Sequence, residues 1–457
     1  MTQDVLQQVY AYIDQHFDEH LAATQRYLRQ PSISPQNVGI QECADLTADL
    51  LRGLGAEVRL VPLEGGHPVV YGHLASKQSA RTVLYYGMYD VMPVEPLAAW
   101  ESPPFEARIV GDRIIARGAL NSKGPLMAFI HAVQSIQAVT DDVPVDLLFA
   151  IEGEEELASE HLPQFIEGQA DELQAADAMY CHLPSEFVSG RPQIFLGCKG
   201  VAVVELKVES LPTDAHSMVA PVVNSPVWRL ISALNSMRDE DGRIVIDGFH
   251  ENAQPPSEDD EELLPDLIDT YGPEGLETLY GVSGFRKGLD GVDFVRELIF
   301  APSLNINGFL AGYTGEGVKT IVPASATCKV DIRLVPEMTV QDALDKVRAH
   351  LNHRGYEDVE LRFAGGYSPA KTSVSEAVAQ AAIRAIQGLG AEPTVVPMIP
   401  SSGPFVMFSD PPLSLPWVIS GLGHGWLMHA PNEYLEVEGL RACEKSAAAF
   451  LYEFARA

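Results

Sequence analysis

An α/β protein of two modules, the second inserted into the first, is what this chain predicts, and three features carry that expectation. Through the first two hundred residues short β-branched runs alternate with amphipathic stretches of helical period, the pattern of a sheet covered by helices. Polar clusters gather where the runs stop, which puts a site at the carboxyl edge of that sheet. After about Gly200 the texture changes to longer alternating strands, as in a smaller α+β domain. Length agrees, because 457 residues exceed the roughly 250–300 that one hydrophobic core usually organises.

The elements follow in order. Val5, Val9, Tyr12, Ile13, Phe17, Leu21 and Leu28 recur mostly at steps of three and four, so a long amphipathic helix opens the chain. A second helix is expected over 43–54, stopped by Gly55, then strands at 57–61 and 69–74. The runs 83–86 and 145–151 read as buried strands, with a helix over 125–139 between them. Beyond Gly200, strands are expected at 201–208 and 244–246, a helix at 226–237 and a charged insertion at 257–266. A strand at 327–335, a helix at 340–352 behind the cap-like Thr339 and a strand at 359–363 follow. From about Pro400 the chain returns to the first module, with a strand near 417–420 and a helix over 438–454. The expected domains are therefore 1–199 with 400–457, and 200–399.

Acidic residues number 63 against 31 basic, a formal net charge of -32. Such a surface repels polyphosphate and gains nothing from counterion release, so nucleic acid and anionic membrane are excluded as natural partners. Five cysteines are scattered without a CxxC pair, which suits a reducing compartment. The first residues lack a basic stretch followed by an apolar core, and no window approaches about 18 uninterrupted apolar residues. A soluble cytoplasmic protein is expected.

The chemistry should lie in the strand-end clusters taken together. They are Tyr86-Gly87-Met88-Tyr89-Asp90-Val91-Met92-Pro93, Arg117-Gly118-Ala119-Leu120-Asn121-Ser122-Lys123-Gly124 and Glu152-Gly153-Glu154-Glu155-Glu156. The second half adds Asp214-Ala215-His216-Ser217, the run from Gly308 to Thr320, Asp331-Ile332-Arg333-Leu334-Val335-Pro336 and His429-Ala430-Pro431-Asn432-Glu433. In this order they resemble the successive signatures of the di-zinc exopeptidase and amidohydrolase family of aminoacylase, carnosinase, acetylornithine deacetylase and succinyl-diaminopimelate desuccinylase.

That resemblance implies a three-layer αβα catalytic domain carrying an inserted α+β lid through which two copies pair as a homodimer. It also implies hydrolysis of a C–N bond, amide or peptide, in a small carboxylate-bearing molecule, with two zinc ions sharing a carboxylate and a glutamate taking the proton of the bridging water. The metal positions match unevenly. Met88 stands where the family has a histidine ligand, and a thioether binds zinc weakly. Asn121 stands where it has the bridging aspartate, and a neutral amide cannot bridge two cations with comparable strength. After the strand ending near Cys181 no acid takes the fourth place. Glu155 keeps the part of general base, Glu156 and His429 those of ligands, and Asn121 or His182 would complete the shell.

Elsewhere the resemblance assigns His216 to oxyanion stabilisation and Arg333 to a substrate carboxylate. Tyr313, Thr314 and Gly315 would form a substrate loop, Asn305 would add a contact, and Ser402 would hold substrate in a glycine-serine turn. The implied cofactor is one divalent cation, zinc first, or none. A metal-free lyase or isomerase on the same scaffold, and a binding homologue without turnover, stay open as rivals.

Overall fold

The computed structural model describes residues 2–282, 284–285 and 288–457. The chain divides into two compact units. The first runs to Gly197 and takes in Lys371–Pro397 and Met407–Ala457; the second comprises Cys198–Ala370 and Met398–Val406.

The first unit is built on an eight-stranded sheet in the order Glu57–Val61, Val69–Leu74, Asp146–Glu152, Thr82–Met88, Ala178–His182, Trp417–Ser420, Gln193–Phe195 and Thr394–Val396. Its centre is parallel: Thr82–Met88 runs alongside both Asp146–Glu152 and Ala178–His182, and Trp417–Ser420 extends the set. These strands are buried along almost their whole length, which is why their sequences are continuous apolar runs rather than alternating ones. Consecutive residues then serve opposite faces. Tyr85 stacks on Phe129 of the helix Lys123–Thr140 at 3.9 Å, whereas Tyr86 points the other way, toward Phe408. Gly72 faces Leu51 of the helix Ile40–Gly53, and neighbouring Tyr71 faces Phe165 on the opposite side. Helices therefore cover both faces, and the three-layer architecture is the one expected.

On one face the helices Thr2–Leu28, Lys123–Thr140, Val437–Phe454 and Ala377–Gly388 pack against one another. The last of these corrects the sequence-derived boundary. Val378, Ala381, Ala382, Ala385 and Ile386 bury in the first unit's core, and Thr394–Val396 pairs with Gln193–Phe195, so the chain returns at Lys371 and not near residue 400.

The second unit is a four-stranded antiparallel sheet in the order Ser303–Ala311, Ser325–Leu334, Gly200–Glu209, Glu360–Tyr367, with the helices Pro226–Ser236 and Val340–His353 packed on it. Gly200–Glu209 alternates buried and half-buried residues, as a sheet with one covered face should. Residues 244–246, expected as a strand, form only a single bridge from Ile244 to Arg238. The charged insertion contains the helix Glu258–Leu263, closed by a capping box between Ser257 and Asp260. Among the described residues no helix is long and apolar enough to cross a membrane.

Candidate active site

In the first unit the polar clusters converge at the carboxyl ends of the parallel strands. Thr82–Met88 delivers Met88 and, past it, Asp90; Asp146–Glu152 leads into the short 3-10 turn Glu155–Leu157. Gly153 is required at this turn, because a Cβ there would sit 2.3 Å from the Tyr89 ring. Asn121 comes from the loop before the helix Lys123–Thr140, and its peptide bond to Ser122 is cis. His429 sits on a tight turn with left-handed backbone at Leu427, His429 and Asn432.

A buried ion pair holds these last two segments together. Arg117 donates to Glu433 at 2.7 Å, and both side chains are almost wholly covered. The guanidinium also donates to the carbonyls of Ala430, His429 and Pro93, while Glu433 accepts from the backbone N–H groups of Leu120 and Asn121. Burial raises the Glu433 pKa, opposed by those N–H groups and by Arg117. Sequence reasoning gave this pair no role. The available signal was a full charge, Arg117, in the otherwise apolar stretch from Ile114 to Leu120.

Upon this platform the structure brings Asn121, Glu156 and His429 together. The Asn121 amide nitrogen donates to Glu156 Oε1 at 2.8 Å and lies 2.9 Å from His429 Nε2; its carbonyl oxygen accepts from Ser122 Oγ at 2.8 Å. His429 Nε2 stands 3.2 Å from Glu156 Oε2, and that contact raises the imidazole pKa against the opposing effect of burial. Where a two-cation centre needs a shared carboxylate, this site places an NH2 group, a proton donor between two would-be ligands. Met88 is buried and brings only sulfur. Glu156 and His429 alone are fewer than the three protein ligands typical of catalytic zinc, and no cluster of three or more His, Cys, Asp or Glu among the described residues is arranged to hold a metal ion. The residues present do not fit two cations.

The neighbouring acids have protein partners of their own. Asp90 accepts from Ser34 Oγ at 2.6 Å and from the backbone N–H groups of Glu155 and Glu156, so with no imidazole to orient it caps the turn; burial pushes it up to about 7. Glu152 accepts from Tyr86 Oη and Ser159 Oγ and is pushed up to about 8, chiefly by burial. Glu155 is raised well above the carboxylate range by desolvation first and then by Glu156, Asp90 and Glu152.

His182, expected as a ligand, is not available as one. It is buried, Nδ1 lies 2.7 Å from Tyr180 Oη, and Nε2 lies 3.1 Å from the Cys443 carbonyl and 3.0 Å from its sulfur. Both ring nitrogens are thereby occupied, and burial pushes the imidazole down to about 4. The acid nearest the missing fourth ligand, Glu186, accepts from the N–H groups of Gly423 and Gly190. His424 is likewise engaged, with Nδ1 2.7 Å from the Glu186 carbonyl.

The second unit carries the remaining sequence-derived residues. Ala215–His216 pairs with Ile321–Val322, and the loop is fixed by Asp214 accepting from Ala324 N–H. His216 Nδ1 accepts from Met218 N–H at 3.1 Å, which places the proton of the neutral ring on exposed Nε2, a donor. Arg333 Nη1 donates to Ser402 Oγ at 2.8 Å and Nε to Asp331 at 3.3 Å. Asn305 donates to Asp331 and Asn307. In the exposed loop Tyr313 Oη donates to the Glu316 carbonyl and packs against Gly315, where a Cβ would lie 2.6 Å from the phenol oxygen; Thr314 is exposed.

With this geometry in hand, comparison with known proteins is decisive at the level of family. Residues 84–453 match the model of peptidase family M20/M25/M40, and the chain belongs to that family. It is 28% identical over 419 residues to human Beta-Ala-His dipeptidase, spanning 86% of this chain and 81% of that protein. It is 28% identical over 366 residues to a Cys-Gly metallodipeptidase of Schizosaccharomyces pombe, covering 76% and 75%. Among solved structures, an M20 family metallo-carboxypeptidase from Sulfolobus solfataricus superposes with a TM-score of 0.86 at 32% identity, over 96% of this chain and all of that one.

Proposed function

We propose that this chain hydrolyses the peptide bond of small peptides ending in a free carboxylate, with one divalent cation, zinc first among candidates, or none. The observation that carries the reading is the joint retention of Glu155 at a strand end and of His216 with its proton set on an exposed nitrogen, since binding alone needs neither. The dipeptidases and the carboxypeptidase it resembles support the substrate class.

In this reading Arg333 receives the substrate carboxylate on its planar fork. His216 Nε2–H donates to the carbonyl oxygen as negative charge develops there, a contribution typically worth about 3–4 kcal/mol. Glu155, whose carboxyl readily holds a proton in its desolvated place, passes one from the attacking water to the leaving amine. Glu156 and His429 are the residues that would hold a single cation, which would supply Lewis-acid polarisation of the carbonyl.

The test is turnover of a neutral dipeptide alongside metal analysis of the purified protein. Glu155→Gln should lower kcat by about 10²–10⁴-fold. Wild-type rates in that variant would sink the reading, and two cations per chain would sink its metal part.

We further propose that two copies pair through the second unit. Its sheet ends in the edge strand Ser303–Ala311, which exposes Ile306, Phe309 and Leu310, and Trp228 and Ile231 stand exposed on one face of Pro226–Ser236. An uncovered apolar edge is ordinarily avoided in a monomer. Sedimentation as a monomer at micromolar concentration would refute this. The five cysteines are buried and unpaired, which supports a cytoplasmic location.

A further inference from the structure

Arg333 is held at two points of its guanidinium, and one of them is a residue that no part of the reading above uses. Asp331 and Arg333 lie two apart on the strand Ser325–Leu334 and so share a face, and Asn305 stands directly opposite Asp331 on the edge strand Ser303–Ala311. Asp331 Oδ2 accepts from Arg333 Nε at 3.3 Å, and Oδ1 accepts at 3.0 Å from the Asn305 amide, which also donates to Asn307 Oδ1 at 3.0 Å. At the other end Arg333 Nη1 donates to Ser402 Oγ at 2.8 Å. The side chain of Asp331 is 14% exposed and that of Arg333 33%, so the anion is covered while the cation reaches outward.

We propose that Asp331 is a positioning residue for substrate binding: it pins Arg333 so that the guanidinium edge bearing Nη2 is presented to the substrate's terminal carboxylate. Asn305 and Ser402 then brace the clamp, Asn305 by holding Asp331 and Ser402 by holding Nη1. The inference rests on Arg333 being the carboxylate clamp.

A bidentate carboxylate–guanidinium pair needs two parallel N–H groups at a fixed angle, and a long flexible side chain gives that geometry cheaply only when it is already immobilised. The surroundings would otherwise push Arg333 away. Lys199, whose ammonium donates to the carbonyls of Leu298 and Ala301, is close enough for its charge and that of Arg333 to oppose each other, an effect that Glu297 counters at Lys199 only in part. Asp331 is the carboxylate bonded to that guanidinium, and removing it takes away the anion that offsets the charge of Lys199 at Arg333.

The experiment is calorimetric titration of the full chain with Ala-Leu and with its C-terminal amide, which lacks the anion. Wild type should prefer the acid. Asp331→Ala should weaken Ala-Leu at least tenfold while moving the amide less than twofold, and Asp331→Asn, which keeps one acceptor, should fall between. Unchanged affinity for Ala-Leu, or equal losses for acid and amide, overturns the proposal. Should Asp331→Ala fail to fold, Asp331→Asn decides: a loss of threefold or more confined to the acid supports it, and anything else overturns it. A wild-type chain that binds both ligands equally, or neither, overturns it along with the role of Arg333. A wild-type chain that binds the acid preferentially without cleaving it leaves the clamp standing and sinks only the hydrolytic reading.

Discussion

The polar faces of the two units differ in what they have left to offer a ligand. In the first, groups that could hold cations have turned to one another: Asn121 bonds Glu156 and touches His429, Asp90 takes the Ser34 hydroxyl, Glu152 takes Tyr86 and Ser159, and His182 spends both nitrogens on the core. In the second, among the described residues, His216 is tied at one nitrogen and open at the other, and Arg333 is tied at Nε and Nη1 with its remaining edge free. A residue's presence therefore says less about readiness than its unspent hydrogen-bonding capacity.

The largest effect is expected from removing what holds the first face shut. Arg117 carries a buried ion pair and three backbone carbonyls, so Arg117→Ala leaves Glu433 buried and without its counterion. Loss of one partner of a buried pair costs about 3–5 kcal/mol, and chemical denaturation should show a fall of that size. A loss under about 1 kcal/mol, the range of an exposed pair, would mean the platform does not hold the site.

A smaller effect sharpens the contrast between the two faces from the other side. Met88→His together with Asn121→Asp replaces the soft donor and the proton-donating amide with cation ligands beside Glu156 and His429. The double variant should take up zinc and be stabilised by it, by about 2.7 kcal/mol when zinc is a hundredfold above its dissociation constant. Thermal unfolding with and without chelator reads this directly. No zinc-dependent shift would mean that donors at positions 88 and 121 are not enough to hold zinc beside Glu156 and His429.

Local properties are legible in the sequence, and contacts between distant segments are not. The parallel strands and the amphipathic first helix are legible because periodicity and burial agree along a few residues, and the donor types at Met88 and Asn121 can be read off because they belong to the residue itself. The helix Ala377–Gly388 shows the same three- and four-residue spacing in Val378, Ala381, Ala382, Ala385 and Ile386, but which unit's core that face enters is set by contacts distant in sequence. His182 looked like a ligand from its place at a strand end. What disqualifies it is a contact with Cys443, 261 residues away, which no local pattern records. The same holds for Ser34 on Asp90 and Arg117 on Glu433, whose partners lie 56 and 316 positions off.

The smallest effect concerns charge in the second unit. Lys199 is 4% exposed, and burial first, then Arg333, pushes its pKa down to about 8 from an ordinary 10.5. The folded chain thus holds this proton less tightly than the unfolded one. Below pH 8 the charged amine weakens the fold, and the penalty fades as pH rises from about 8 toward 10.5. Compared with Lys199→Met, wild type should therefore gain on the order of 1–3 kcal/mol across that window, read as the difference between two denaturation series. The first unit holds the opposite case in Glu444, buried against His20 and pushed up to about 7, where stability is greatest in acid and is lost as pH climbs from about 4.5 through 7. A Lys199 difference that stays flat with pH would mean the two carbonyls of Leu298 and Ala301 fully compensate its burial, and that Arg333 feels no second cation beside it.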